Sequence, residues 1–102
     1  MPSDAIDAHS VLKVIAEPRR ADIIRLLERR HRTQSGLCRD LGMSQPLLSH
    51  HLKALRDAGL IDTTLCEGIQ VYQLRTEALH ALSDRIATMI SNAERVAEHR
   101  PC

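Results

Sequence analysis

The run Ser44-Gln45-Pro46-Leu47-Leu48-Ser49-His50-His51-Leu52-Lys53-Ala54-Leu55-Arg56 carries hydrogen-bonding side chains at a spacing suited to reading the edge of a nucleic-acid duplex. Gln45, Ser49 and Lys53 recur every four residues, so on a helix they line one side, with His50 and Arg56 beside them. Glutamine and serine can hydrogen-bond base edges, while lysine and arginine reach bases or phosphates. Leu48, Leu52 and Leu55, spaced four and three, mark a different side for burial. An ordinary amphipathic surface helix has the same pattern, so the flanking sequence must decide. Catalysis has little behind it. The histidines are not joined to a nucleophile–base–acid set, a phosphate loop or a dense ligand motif. The pair His50-His51 reads as one residue facing outward and one packed inward.

The flanking signals are those of a positioned recognition helix over 44–58. Ser44 is a good N-cap, and Pro46 falls in the first turn, where its missing N–H breaks no helical bond. Met43 and Leu48 form a hydrophobic staple, and Gly59 can take the left-handed conformation that ends the helix, letting Leu60 pack back. Upstream, Thr33 to Gly42 reads as a second short helix, with Leu37 and Leu41 four apart and Gly42 as its stop. Two short helices joined by so tight a turn form a helix-turn-helix. Downstream, residues 61–74 change rhythm. Thr63, Thr64 and Leu65, then Ile69, Val71, Tyr72 and Leu74, favour two strands, and Glu67-Gly68 supplies the turn. A helix-turn-helix followed by a hairpin is a winged helix, with Gly68 and Gln70 of the wing expected beside the DNA. A lone hairpin is marginally stable, so this one must pack on the helices.

Two further helices precede this unit and one follows it. Val11, Leu12, Val14 and Ile15 define an apolar helix over about 5–16, and Pro18 opens the next, which carries Ile23, Ile24, Leu26 and Leu27. Arg29 to Arg32 reads as a solvated basic helix end. Residues 76–98 form one long helix with Thr76 as its cap. Leu79, Leu82, Ile86, Met89, Ala93 and Val96 are spaced three, four, three, four and three, a heptad seam. A compact winged helix leaves that seam for a partner subunit, and the first helix is also apolar, so both ends of the chain are expected to build a twofold interface. The fold class is therefore mainly α with a small β-hairpin, in the order α1-α2-α3-α4-β1-β2-α5, a homodimer through α1 and α5.

Bulk properties narrow the choice. The 102 residues suit a single domain. With one Tyr and no Phe or Trp, the chain lacks the aromatic platforms that single-stranded nucleic acid needs. A net charge of +1 is weak, so attraction to phosphates must come from local concentrations at 17–32 and 44–56. No apolar run approaches the roughly 18 residues of a membrane span, and the first residues lack a secretion core. Cys38, Cys66 and Cys102 are too few and too widely spaced for a disulfide framework or a zinc ribbon, and a reducing cytoplasm is the expected location.

The segments Ile15-Ala16-Glu17-Pro18-Arg19-Arg20 and Ile23-Ile24-Arg25-Leu26-Leu27 resemble the opening of bacterial ArsR/SmtB regulators. So do the run from Leu41 to Leu55 and the Asp57-Ala58-Gly59-Leu60-Ile61 that follows it, and the similarity covers about residues 10–98. The resemblance implies a homodimeric winged helix that binds a palindromic double-stranded DNA operator beside genes for metal handling or stress. It implies DNA-facing roles for Gln45, Ser49 and His50, with Ser44 and Lys53 as additions. The inducer sites of the family carry over poorly. Where arsenic and cadmium sensors have a Cys-x-Cys pair, this chain has Thr33-Gln34-Ser35-Gly36-Leu37-Cys38, and one thiolate does not make a soft-metal site. The zinc and nickel sensor positions hold Thr76, Ala78, Met89 and Asn92. The remaining candidates for nickel or zinc are His9, His80, Glu94, Glu98 and His99, brought together only if the chain termini meet across a dimer; solvated side chains on frayed ends are the simpler reading. Without a familiar metal site, an activator, or a co-regulator served by a separate sensor protein, also fits. So does a winged-helix protein-interaction module that does not read DNA.

Overall fold

A computed structural model of the chain describes residues 7–101. Five helices and one hairpin follow in order: α1 (Ala8–Ile15), α2 (Pro18–Leu27), α3 (Gln34–Leu41), α4 (Gln45–Asp57), β1 (Ile61–Cys66), β2 (Ile69–Leu74) and α5 (Glu77–Ala97). This is the winged helix-turn-helix order that the sequence predicts. Of the span expected for the first helix, residues 5 and 6 lie outside the described residues, as does Cys102.

Side chains fix the helix starts. The Asp7 carboxylate accepts from the His9 backbone N–H, that of Glu17 from Arg19 and Arg20, the Thr33 hydroxyl from Gly36, and the Ser44 hydroxyl from Leu47. Each cap satisfies a backbone donor that the first turn leaves free. Thr76 departs from expectation. It lies in the helical region itself, at φ −94° and ψ −18°, and makes no side-chain cap bond. A residue already wound into the helix does not hold its hydroxyl over the first-turn N–H groups. Glu77, in the positive first turn, provides the favourable charge instead.

The end of α4 is closed on both sides. Gly59, at φ +76°, lets its own N–H reach the Arg56 carbonyl at 2.9 Å and the Leu60 N–H reach the Leu55 carbonyl at 3.0 Å. Leu60 thereby enters the core, fully buried. Val11, Ile23, Leu37, Leu48 and Leu55 are equally inaccessible, so one aliphatic core joins α1 to α4 and the base of the hairpin. Met43 and Leu48 are both buried in it, as a staple requires.

The strands pair antiparallel from Ile61 opposite Leu74 to Cys66 opposite Ile69. The intervening turn has both central residues left-handed, Glu67 at φ +52° and Gly68 at φ +81°. Such two-residue turns match the strand twist and favour Asn-Gly. Glu67 is therefore strained, and Glu67→Asn is expected to stabilise the fold by about 0.5–1 kcal/mol in urea unfolding.

The hairpin is anchored from an unexpected direction. Arg32 exchanges backbone hydrogen bonds with Tyr72, at 3.2 and 2.8 Å, and its guanidinium pairs with Asp40 at 2.7 Å. The basic run 29–32 is solvated at Arg29, Arg30 and His31, which are exposed as expected, but not at Arg32. It lies past α2, and its last arginine, with a side chain only 10% exposed, ties α3 to the wing. A second tie is Arg75, which bridges Asp62 of β1 and Glu77 of α5, each at 2.7 Å. Those bonds hold the Glu77 carboxyl down at about 2.

The seam of α5 is divided. Leu79 and Leu82 pack against the core of their own protomer, and Ala78 is fully buried. Beyond them Ile86, Met89, Ile90 and Val96 are 45–71% exposed, as is Leu12 of α1 at 53%. The protomer is correspondingly long, 60 × 30 × 25 Å, with a radius of gyration of 17.0 Å. A compact domain of this length has about 13 Å.

Candidate nucleic-acid interface

Helix α4 presents two faces of opposite character. Leu48, Leu52, Leu55 and His51 are buried, whereas Ser44, Gln45, Ser49, His50, Lys53 and Arg56 are exposed. All six residues expected on the outer side of this helix therefore reach solvent. Four of them are also held by contacts. Ser44 uses its hydroxyl on Leu47 at 3.3 Å, so it serves the helix before any ligand. Lys53 pairs with Asp57 one turn on, at 2.8 Å. The Arg56 guanidinium lies 5.9 Å from the centre of the Tyr72 ring, a cation–π contact between α4 and the hairpin. The Ser49 hydroxyl accepts from the Gln34 side-chain amide of α3 at 2.8 Å. Gln34 and Tyr72 are absent from the sequence-derived site. Their partners lie 15 or more residues away, and no local pattern announces such contacts.

The two adjacent histidines separate as expected, one out and one in. His51 is 4% exposed, and its Nδ1 accepts from Arg20 Nε at 3.2 Å, which requires a neutral ring with an open lone pair. Burial pushes His51 below the ordinary histidine value; Glu17 opposes this, and Arg20, His50 and Arg19 add to it. An unfolded chain, with its histidine near 6.5, takes up the proton first. The contribution of His51 to stability is therefore complete above about pH 6.5 and is lost as the pH falls from there through the lower folded value. Urea midpoints at pH 7.5 and 5.5 are expected to differ more for the wild type than for His51→Gln. Equal differences would remove His51 as the cause. The depressed carboxyls of Asp62 and Glu77 add a further loss only in the carboxylate range.

Charge is distributed unevenly along the chain. Residues 17–57 hold nine Lys and Arg against five Asp and Glu, and the rest hold five against eight. The hairpin, residues 61–74, contains neither Lys nor Arg. Gly68 forms its tip and Gln70 is exposed beside it, so both wing candidates are accessible. The same tip exposes Leu65 and Ile69, at 72% and 58%. The wing therefore offers amide and apolar contacts, and phosphate attraction falls to the helices.

Within one chain the candidate metal ligands do not converge. His9, His80, Glu94, Glu98 and His99 are all exposed, and His99 Nδ1 lies 3.1 Å from the Arg95 carbonyl of its own helix. His9 lines a groove of about 330 Å³ with Leu12, Leu82, Arg85 and Met89, and none of the other four candidates lines it. Among the described residues, no three or more His, Cys, Asp or Glu side chains of one chain form a group able to hold a metal ion. Cys38 is half-buried and Cys66 exposed, both as free thiols. No helix among the described residues is long and apolar enough to cross a membrane.

Comparison with known proteins agrees with this geometry. Residues 17–63 match the family model described as bacterial regulatory protein, arsR family. The chain is 34% identical over 77 residues to the arsenical resistance operon repressor of Staphylococcus xylosus, covering 76% of this chain and 74% of the relative. It is 33% identical over 90 residues to the HTH-type transcriptional regulator YgaV of Escherichia coli K12, covering 87% and 88%. Among solved structures it resembles the homodimeric winged helix-turn-helix DNA-binding domain of Mb0332 from Mycobacterium bovis. That match has a TM-score of 0.62 and 26% identity, over 92% of this chain and 84% of the other. The chain belongs to the ArsR family of bacterial regulatory proteins: it is a DNA-binding transcriptional regulator and not an enzyme.

Proposed function

We propose that two copies of this chain pair through α1 and the distal half of α5 and bind a palindromic operator. In this reading α4 of each copy enters one of two major grooves, about one helical turn apart, with the wing along the flank. The observation that carries it is the outer face of α4, where Gln45, Ser49, His50, Lys53 and Arg56 are exposed together above a fully buried leucine face. Support for pairing comes from the apolar residues left open on α5 and from the homodimeric state named for the Mycobacterium bovis domain.

Selection of bound duplexes from a random pool, followed by titration of the enriched sequence, tests this reading. Enrichment of a twofold-symmetric sequence is expected. Ser49→Ala is expected to weaken the selected duplex about tenfold with little effect on random duplex, since a base contact is lost. Arg56→Ala is expected to weaken both alike and to flatten the salt dependence by about one phosphate contact per protomer. Equal losses on both duplexes for Ser49→Ala would argue against base reading. One observation favours a second reading, a protein-interaction module: the wing lacks cations and ends in exposed Leu65 and Ile69. Binding that never exceeds the random-duplex level would select it.

A further inference from the structure

We infer that Gln34 is a specificity-determining positioning residue. It holds the Ser49 hydroxyl as a hydrogen-bond donor toward DNA, so each protomer demands an acceptor atom at one base edge. This rests on the proposed operator-binding role of α4 and adds a residue of α3 that does not itself belong to the reading helix.

The inference begins with the inventory of a serine. Its hydroxyl has one proton and two lone pairs, and the proton rotates to suit its surroundings. A free serine on a helix can therefore donate to a base or accept from one, and it discriminates weakly. On a helix the proton also has a competing acceptor, the carbonyl four residues back. Thr88 shows that outcome in this chain, donating to the Asp84 carbonyl at 3.0 Å. Ser49 is arranged differently. Among the described residues its oxygen has one partner, the Gln34 amide nitrogen at 2.8 Å, reached across the helix-turn-helix.

An amide N–H pointing at the oxygen occupies a lone pair and repels the hydroxyl proton from that side. The proton is left on the outer side of α4, between the exposed Gln45 and Lys53 of the same face. A hydroxyl so polarised is also the better donor, because accepting one hydrogen bond strengthens the one it gives. In the major groove the atoms that can receive it are purine N7, guanine O6 and thymine O4; the exocyclic amino groups of cytosine and adenine cannot.

Gln34 is well placed for such a role. It is the first residue of α3, behind the Thr33 cap, and half-buried, so its backbone is fixed by the fold. The packing of α3 on α4 sets the separation of the two side chains, and Leu37 and Leu48 lie fully buried in the core those helices share.

The test uses the full-length protein, the selected operator and its single base-pair substitutions, with affinity read by fluorescence anisotropy. Ser49→Ala first identifies the base pair that Ser49 reads, as the position at which substitution ceases to matter. Gln34→Leu is expected to reduce the wild-type preference at that same pair from about tenfold to threefold or less, with the salt dependence and the other positions unchanged. Gln34→Glu reverses the polarity. A carboxylate at 34 accepts the hydroxyl proton and turns the Ser49 lone pairs outward, so preference at that pair is expected to shift toward bases presenting an amino group. Helical circular dichroism and the urea midpoint confirm that each variant is folded, and either variant alone suffices. A wild-type profile at that pair in a folded Gln34→Leu, or an equal loss at every position, would overturn the inference. Failure of the wild-type protein to prefer any duplex would instead remove the operator-binding reading, and this proposal with it.

Discussion

Replacement of Met89 and Ile90 by glutamate is expected to give a folded monomer whose affinity for a two-half-site operator is at least about a hundredfold below wild type. Both side chains are 53% exposed and lie past Leu82, the last residue of α5 packed against the core of its own protomer. The core from Val11 to Ala78 contains neither of them, so the winged helix should keep its helical signal and most of its stability. In the proposed dimer these positions would face apolar partners, and four buried carboxylates without counter-charges would not be tolerated. The loss on DNA follows from valency. Once one α4 is docked, a paired second copy sees its half-site at an effective concentration of about millimolar, which raises overall affinity by about 10² to 10⁴ over one half-site. Sedimentation velocity reads the mass and anisotropy reads the affinity. A variant that stays dimeric would place the interface elsewhere. A monomer that binds the operator as tightly as wild type would refute the twofold mode.

Leu48→Ala is expected to destabilise the protein by about 2–5 kcal/mol, a large part of the roughly 5–15 kcal/mol available to a domain of this size. Leu48 is fully buried on α4 and belongs with Met43 to the one aliphatic core. Truncation removes apolar contact and leaves a cavity that a staple between fixed helices cannot close. At constant protein concentration the urea midpoint should fall by about 1–2 M. Leu65→Ala, at a wing position 72% exposed, supplies the contrast and should change stability by less than about 0.5 kcal/mol. Similar midpoints for the two variants would mean that α4 is not anchored through Leu48.

The elements were legible because their punctuation is local. Ser44, Pro46 and Gly59 mark the ends of α4 by rules that need only neighbouring residues, and the structure uses all three. The outward set Gln45, Ser49, His50, Lys53 and Arg56 followed from helical spacing alone. Thr76 shows the limit of such rules, since its cap role depended on a backbone angle that residue type does not determine. The long-range contacts were out of reach for a different reason. Arg32 with Asp40 and Tyr72, Arg20 with His51, and Gln34 with Ser49 all join elements whose mutual placement is set by core packing. Before the fold is known, any arginine in 19–32 could meet any carboxylate. The seam on α5 was visible as a period, but a period does not reveal where a helix leaves its own domain. That point, between Leu82 and Ile86, is set by how α5 packs on the folded core.

Tyr72 is the chain's single aromatic residue of the Phe, Tyr and Trp class, and it lies buried beneath Arg56 where the recognition helix meets the hairpin. Its ultraviolet emission consequently comes from that junction and nowhere else. The molecule thus contains its own optical label, and movement of Arg56 from the ring toward a phosphate would be registered without attaching a dye.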